Sequence, residues 1–113
     1  MAGARTPEEL ESMFEDAFVL HDQEALAQLF EPDAVLRPAG ARGPLVGPGP
    51  VHGRDEIQRL LVDLWDHQEA YVADPQTVLQ LRGTALVISR LAVNVVRRTP
   101  DGRWRYAIVY LGS

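Results

Sequence analysis

The side chains able to do chemistry in this chain are sixteen carboxylates and three histidines, with no cysteine to serve as nucleophile or thiolate ligand. All eleven basic residues are arginine, so Schiff-base chemistry and a lysine-centred phosphate loop are excluded. Ser12, Ser89 and Ser113 stand outside any Gly-x-Ser-x-Gly elbow, which argues against a hydrolytic nucleophile. His21, His52 and His67 lack the His-Glu-x-x-His spacing of a zinc site. Asp63 and His67, at i and i+4, read as a solvated charge pair, and no metal is expected. After Asp74 the one remaining carboxylate is Asp101, so the C-terminal third carries no base for neutral pH. General acid–base work therefore falls to His52, Asp33 or groups on the helices. His52 is the candidate catalytic residue, because histidine is the side-chain type suited to acid–base work at neutral pH and this one borders a Gly/Pro-rich loop. Its bland alternative is a partly exposed histidine at a strand end.

Those groups must be carried by a small set of elements. Thr6-Pro7-Glu8-Glu9 reads as a helix start with Thr6 as N-cap and Glu9 closing a capping box. Leu10, Met13, Phe14, Ala17 and Phe18 then recur on one helical face. Asp22 caps a second short helix carrying Ala25, Leu26, Leu29 and Phe30, which Pro32 ends. Residues 34–36 predict a short strand, and 51–52 a second one paired with it. Between them, 38–50 alternate Gly with Pro and predict a mobile lip at a site mouth. A third helix begins near Gly53 or Arg54 and places Ile57, Leu60, Leu61, Leu64, Trp65 and Gln68 on one face. From Val78 the pattern turns to β: a strand over 78–82, an almost unbroken stretch over 84–98, a Thr99-Pro100-Asp101-Gly102 turn and a last strand over 103–111. The order specifies an α+β fold, helices on one face of a curved antiparallel sheet.

Length and charge narrow the classes further. At 113 residues the chain reads as a single domain over 1–113, and 46% hydrophobic residues suffice for a core without metals or disulfides. A net charge of −5 disfavours nucleic acid as a partner. No apolar run approaches the length of a bilayer span, so no membrane partner and a cytoplasmic location are expected.

Four phrases carry a family resemblance: Thr-Pro-Glu-Glu-Leu; His-Asp-Gln-Glu-Ala-Leu-Ala-Gln-Leu-Phe-Glu-Pro-Asp-Ala-Val-Leu; Val-His-Gly-Arg-Asp-Glu-Ile; and Asp-Gly-Arg-Trp-Arg-Tyr. In order and spacing they resemble the NTF2-like superfamily, most of all its SnoaL-like small bacterial branch. The resemblance implies a cone: three N-terminal helices packed on a curved sheet around an apolar cavity. It also implies a small apolar ligand, and isomerase-, cyclase- or dehydratase-type chemistry on a carbonyl-bearing metabolite without a cofactor. Non-catalytic binding or assembly modules share the fold and stay open as the alternative. Residues expected around the ligand are Phe14, Phe18, Arg37, Leu64, Trp65, Arg90, Asn94 and Tyr106.

The sequence departs from the isomerase pattern in two places. The position of the general-base Asp falls at Arg37-Pro38, and that of the helix Tyr at Phe14. Over 84–98 the branch usually has two strands, yet Leu91 to Asn94 offers neither Gly nor Pro for a turn. Either the hairpin is very tight or one strand is lost, and a bulge that switches parity midway would bring Arg90 or Asn94 into the cavity. Along that stretch Ala85, Val87, Ser89, Leu91, Val93 and Val95 form the better core face. The opposite parity, with Leu86, Ile88, Ala92 and Val96, predicts a homodimer interface on the outer sheet face.

Overall fold

The computed structural model describes residues 3–37, 50–65, 75–89 and 92–111. The loop expected over 38–50, apart from Pro50, and the side chains of Asp63 and His67 lie outside them.

Helix α1 (Pro7–Leu20) starts where the sequence reading puts it. The Thr6 side chain accepts the Glu9 N–H at 3.0 Å, and Glu9 reaches back to the Arg5 N–H at 2.7 Å. His21 closes the helix in the left-handed conformation. Asp22 then caps α2 (Gln23–Gln28), accepting from the Ala25 N–H at 3.1 Å. Helix α3 (Arg54–Trp65) follows a short strand and buries Ile57 and Leu61. α3 lies against α2 and β1, and α1 against α2, β3 and β6.

The strands are β1 (Phe30–Arg37), β2 (Val51–His52), β3 (Pro75–Leu81), β4 (Thr84–Ser89), β5 (Ala92–Arg98) and β6 (Trp104–Leu111). They form one curved sheet in the order β2-β1-β6-β5-β4-β3. Every pairing is antiparallel except β1 with β6. The helices cover one face, as the α+β reading expects.

Two expectations are corrected and one open alternative is decided. First, β1 begins at Phe30 rather than 34, and Pro32 lies inside it. Proline has no N–H for a ladder, and here the register jumps from Phe30↔Tyr106 to Val35↔Ile108, so Pro32 sits in the irregular stretch. Arg54 holds that stretch, its Nε and Nη2 donating to the Phe30 carbonyl at 3.1 and 2.6 Å. Second, residues 84–98, which the sequence leaves open between a very tight hairpin and the loss of one strand, form two strands, β4 and β5. The Ser89 hydroxyl donates to the Ala92 carbonyl at 3.2 Å. Third, the hairpin reverses parity. Ala85 pairs with Val96 and Val87 with Asn94, so Ala85, Val87, Ser89, Ala92, Asn94 and Val96 all face inward. Ala92 and Val96 therefore leave the expected dimer face, where Val93 and Val95 replace them.

The residues that precede α1 are partly anchored. Ala4 is fully buried and accepts the Trp104 N–H at 2.9 Å as a single bridge to β6. Losing the Arg54 clamp should matter more than its surface position suggests. Arg54→Met is expected to cost about 1.5–3 kcal/mol, the value of a hydrogen bond from a charged donor, measured by urea denaturation.

Candidate functional site

Among the described residues, the inward face of the sheet is apolar apart from Ser89 at the end of β4 and one buried cluster. Asn94 on β5 and Tyr106 on β6 are both 1% exposed, and both reach toward α1. There Glu11, itself fully buried, receives them on one oxygen. Asn94 Nδ2 donates to Glu11 Oε2 at 2.8 Å, and the Tyr106 hydroxyl donates to the same atom at 2.8 Å. Glu11 precedes Phe14 by three residues and Phe18 by seven, so helix periodicity places it beside the aromatic face of α1. Its burial follows from that position rather than from any polarity of the surroundings.

Aromatic rings surround the clamp. Phe14 lies 5.6 Å from the Tyr106 ring, edge to face, and 6.1 Å from Phe18 and from Phe30. Phe30 and Tyr106 are 5.2 Å apart. A second backbone tie keeps Tyr106 in place, its N–H donating to the Leu29 carbonyl at 2.8 Å. In such low-dielectric surroundings a carboxylate with two oriented donors is a strong, fixed acceptor. Asn94 Oδ1 is buried with no hydrogen-bond partner.

The residues expected from sequence separate into groups. Phe14, Phe18, Asn94 and Tyr106 come together on the interior side, around Glu11. Arg37, at the end of β1, is exposed. Leu64 and Trp65 close the C-terminal end of α3, and their side chains, like Arg90, lie outside the described residues. His52 is exposed at the β2–α3 corner, where its N–H faces Glu56 Oε1 at 3.4 Å. It opens on a surface hollow of about 480 Å³ shared with Pro32, Arg54 and Arg59.

Glu11 is the residue that sequence reasoning did not single out. The signal was available: an acid at i, with phenylalanine at i+3 and i+7, lies on the buried side of an amphipathic helix.

Charged groups elsewhere belong to the surface. Arg97 donates to both Glu31 oxygens, at 2.9 and 2.5 Å, and this pairing raises its guanidinium above its ordinary value. Arg97 is half-exposed, so Arg97→Ala is expected to change stability by about 1 kcal/mol or less in thermal unfolding. The Thr99 hydroxyl donates to Asp101 in the β5–β6 turn and holds that carboxyl below its usual range. Among the described residues, no three His, Asp or Glu side chains gather as a metal set, and no helix is long and apolar enough to cross a membrane.

The SnoaL-like domain family matches residues 10–110. Solved structures share the architecture at low identity. One from Thiobacillus denitrificans, provisionally described as a calcium/calmodulin-dependent protein kinase type II association domain, superposes with a TM-score of 0.74 at 18% identity, covering 99% of this chain and 98% of that one. A ketosteroid isomerase-like protein from Erwinia carotovora atroseptica gives 0.69 at 17% identity, covering 93% and 91%. An NTF2-like protein with a cystatin-like fold from Novosphingobium aromaticivorans gives 0.68 at 24%, covering 93% and 77%. No curated protein matches the sequence significantly.

Proposed function

This chain belongs to the SnoaL-like domain family of the NTF2-like superfamily, and from that premise we propose that it binds a small, mostly apolar, carbonyl-bearing molecule between α1 and the sheet and moves a proton on it through Glu11. The observation that carries this reading is a fully buried Glu11 whose Oε2 accepts from both Asn94 and Tyr106 beside aromatic rings. Burying a carboxylate is costly, and packing alone would favour an apolar side chain at that position. A carboxylate so held is suited to take a proton from the carbon beside a carbonyl. The bonding pair moves into the carbon–carbon bond and the carbonyl becomes an enolate, after which Glu11 returns the proton. As Glu11 takes up the proton it becomes a weaker acceptor, and the Tyr106 hydroxyl is released to donate to the enolate oxygen. His52 lies at the surface corner and has no step in this scheme.

The test is proton exchange at the carbon beside the carbonyl of cyclohexanone and acetophenone-type probes in heavy water, followed by NMR. Wild type should exceed the buffer rate, and Glu11→Gln should lose about 10²–10⁴-fold of the acceleration, the usual contribution of a general base. Glutamine can still accept from Asn94 and Tyr106, so the fold survives. Exchange at the buffer rate in wild type, or undiminished exchange in Glu11→Gln, would overturn the proton-transfer role.

A second reading, a binding or assembly module, draws on the outer sheet face. There Leu79, Leu86, Val95, Ile108 and Val35 follow one another across five strands, beside a second row of Ile88, Val93 and Tyr110. Val93, Ile108 and Tyr110 are 38–48% exposed, an unusual density of large apolar groups for free solvent. We propose that this face joins two copies of the chain. Val93→Glu and Ile88→Glu should each give monomers by size exclusion with light scattering. A monomeric wild type at high micromolar concentration would contradict it. Dimerisation is compatible with the interior site, since the two use opposite faces of the sheet.

A further inference from the structure

Asn94 is the residue whose hydrogen bonding does not close. Its Nδ2 donates to Glu11 Oε2, which orients the amide. Oδ1 is thereby left buried with no partner. The strands on either side cannot supply one: Asn94 pairs with Val87 on β4 and with Val109 on β6, both buried and apolar. Along β5 the next inward residues are Ala92 and Val96. The Tyr106 hydroxyl hydrogen is already given to Glu11. An unpaired buried acceptor costs about 1–3 kcal/mol and asks for a donor from outside these side chains.

We infer that the molecule taken by this interior carries a hydroxyl group that donates to Asn94 Oδ1. The inference rests on the ligand-binding reading above and adds the substrate class: a hydroxylated apolar compound, not a bare ketone. A carbonyl or an ether brings no donor to Oδ1. An ammonium brings three, of which the site has one orphaned acceptor to match, and the remainder would enter an aromatic interior at greater cost. A hydroxyl offers the single donor required. The same contact would set the ligand's orientation, because Asn94 and Glu11 are bonded to each other.

The experiment is calorimetric binding with matched probes: phenol and anisole, benzyl alcohol and benzyl methyl ether, cyclohexanol and cyclohexyl methyl ether, with benzylamine as the cationic arm. In wild type each hydroxyl compound should bind roughly tenfold or more tightly than its methyl ether, the effect of satisfying one buried acceptor. In Asn94→Leu that preference should fall to roughly parity while the ethers still bind. Asn94→Val, which continues the valines on both neighbouring strands, serves if the leucine variant does not fold. Equal binding within pairs in wild type, as a buried water on Oδ1 would give, overturns the hydroxyl inference and leaves the ligand-binding reading standing. A preference that persists without Asn94, or tighter binding of benzylamine than of benzyl alcohol, overturns it as well. Failure of every probe to bind removes the ligand-binding reading itself, and the inference with it.

Discussion

Glu11→Ala is expected to destabilise the protein by about 2–6 kcal/mol, because it strands two buried donors at about 1–3 kcal/mol each. Asn94 Nδ2 and the Tyr106 hydroxyl both end on Glu11 Oε2, and neither is exposed enough for water to replace it. Against a total stability of about 5–15 kcal/mol for a domain, this loss approaches unfolding. Glu11→Gln keeps an acceptor and should cost far less. Urea denaturation of the two variants and of Tyr106→Phe separates the cases. The double variant Glu11→Ala/Tyr106→Phe should recover part of the loss, since one stranded donor has then been removed. A Glu11→Ala protein as stable as wild type would mean that the clamp is not closed in solution.

Trp104→Ala should cost about 3–5 kcal/mol, the range for emptying the space of a large buried aromatic side chain. Trp104 is 2% exposed, and it begins β6 at the point where β5 returns from its turn. Arg98 lies over its ring at 5.8 Å, and its N–H secures Ala4. Removing the ring should therefore loosen the N-terminal bridge too, seen as faster amide exchange at position 104 beyond the global loss of stability. Leu81→Ala, at a residue 75% exposed on the edge strand, should change stability by about 0.5 kcal/mol or less and serves as the comparison. A Trp104→Ala cost no larger than that of Leu81→Ala would contradict the burial described.

The helices were legible because their signals are local. Thr6 and Asp22 cap the helices they were expected to cap, and the Leu10, Phe14, Phe18 periodicity points inward. The strand boundaries were less so, for reasons outside the local sequence. Pro32 reads as the end of a helix, but the Arg54 clamp and the register jump against β6 let the chain continue through it as strand. The break between Ser89 and Ala92 has no turn residue to mark it, and missing it shifts every side chain of β5 to the wrong face. Asn94 could then be placed inside only by supposing a parity switch. Glu11 escaped attention because a carboxylate in the first turns of a helix ordinarily faces solvent and the positive helix end. Its partners are 83 and 95 residues away in sequence, a separation that no spacing rule reaches.

We propose that a small molecule is held between α1 and the sheet, beside Glu11, Asn94 and Tyr106. Native mass spectrometry of gently purified wild type beside folded Asn94→Leu tests it most directly. Wild type should carry the added mass of a small hydroxylated compound, and Asn94→Leu should be without it. Wild type at its bare polypeptide mass would contradict the claim, whereas the same adduct retained equally by both proteins would remove only the role given to Asn94.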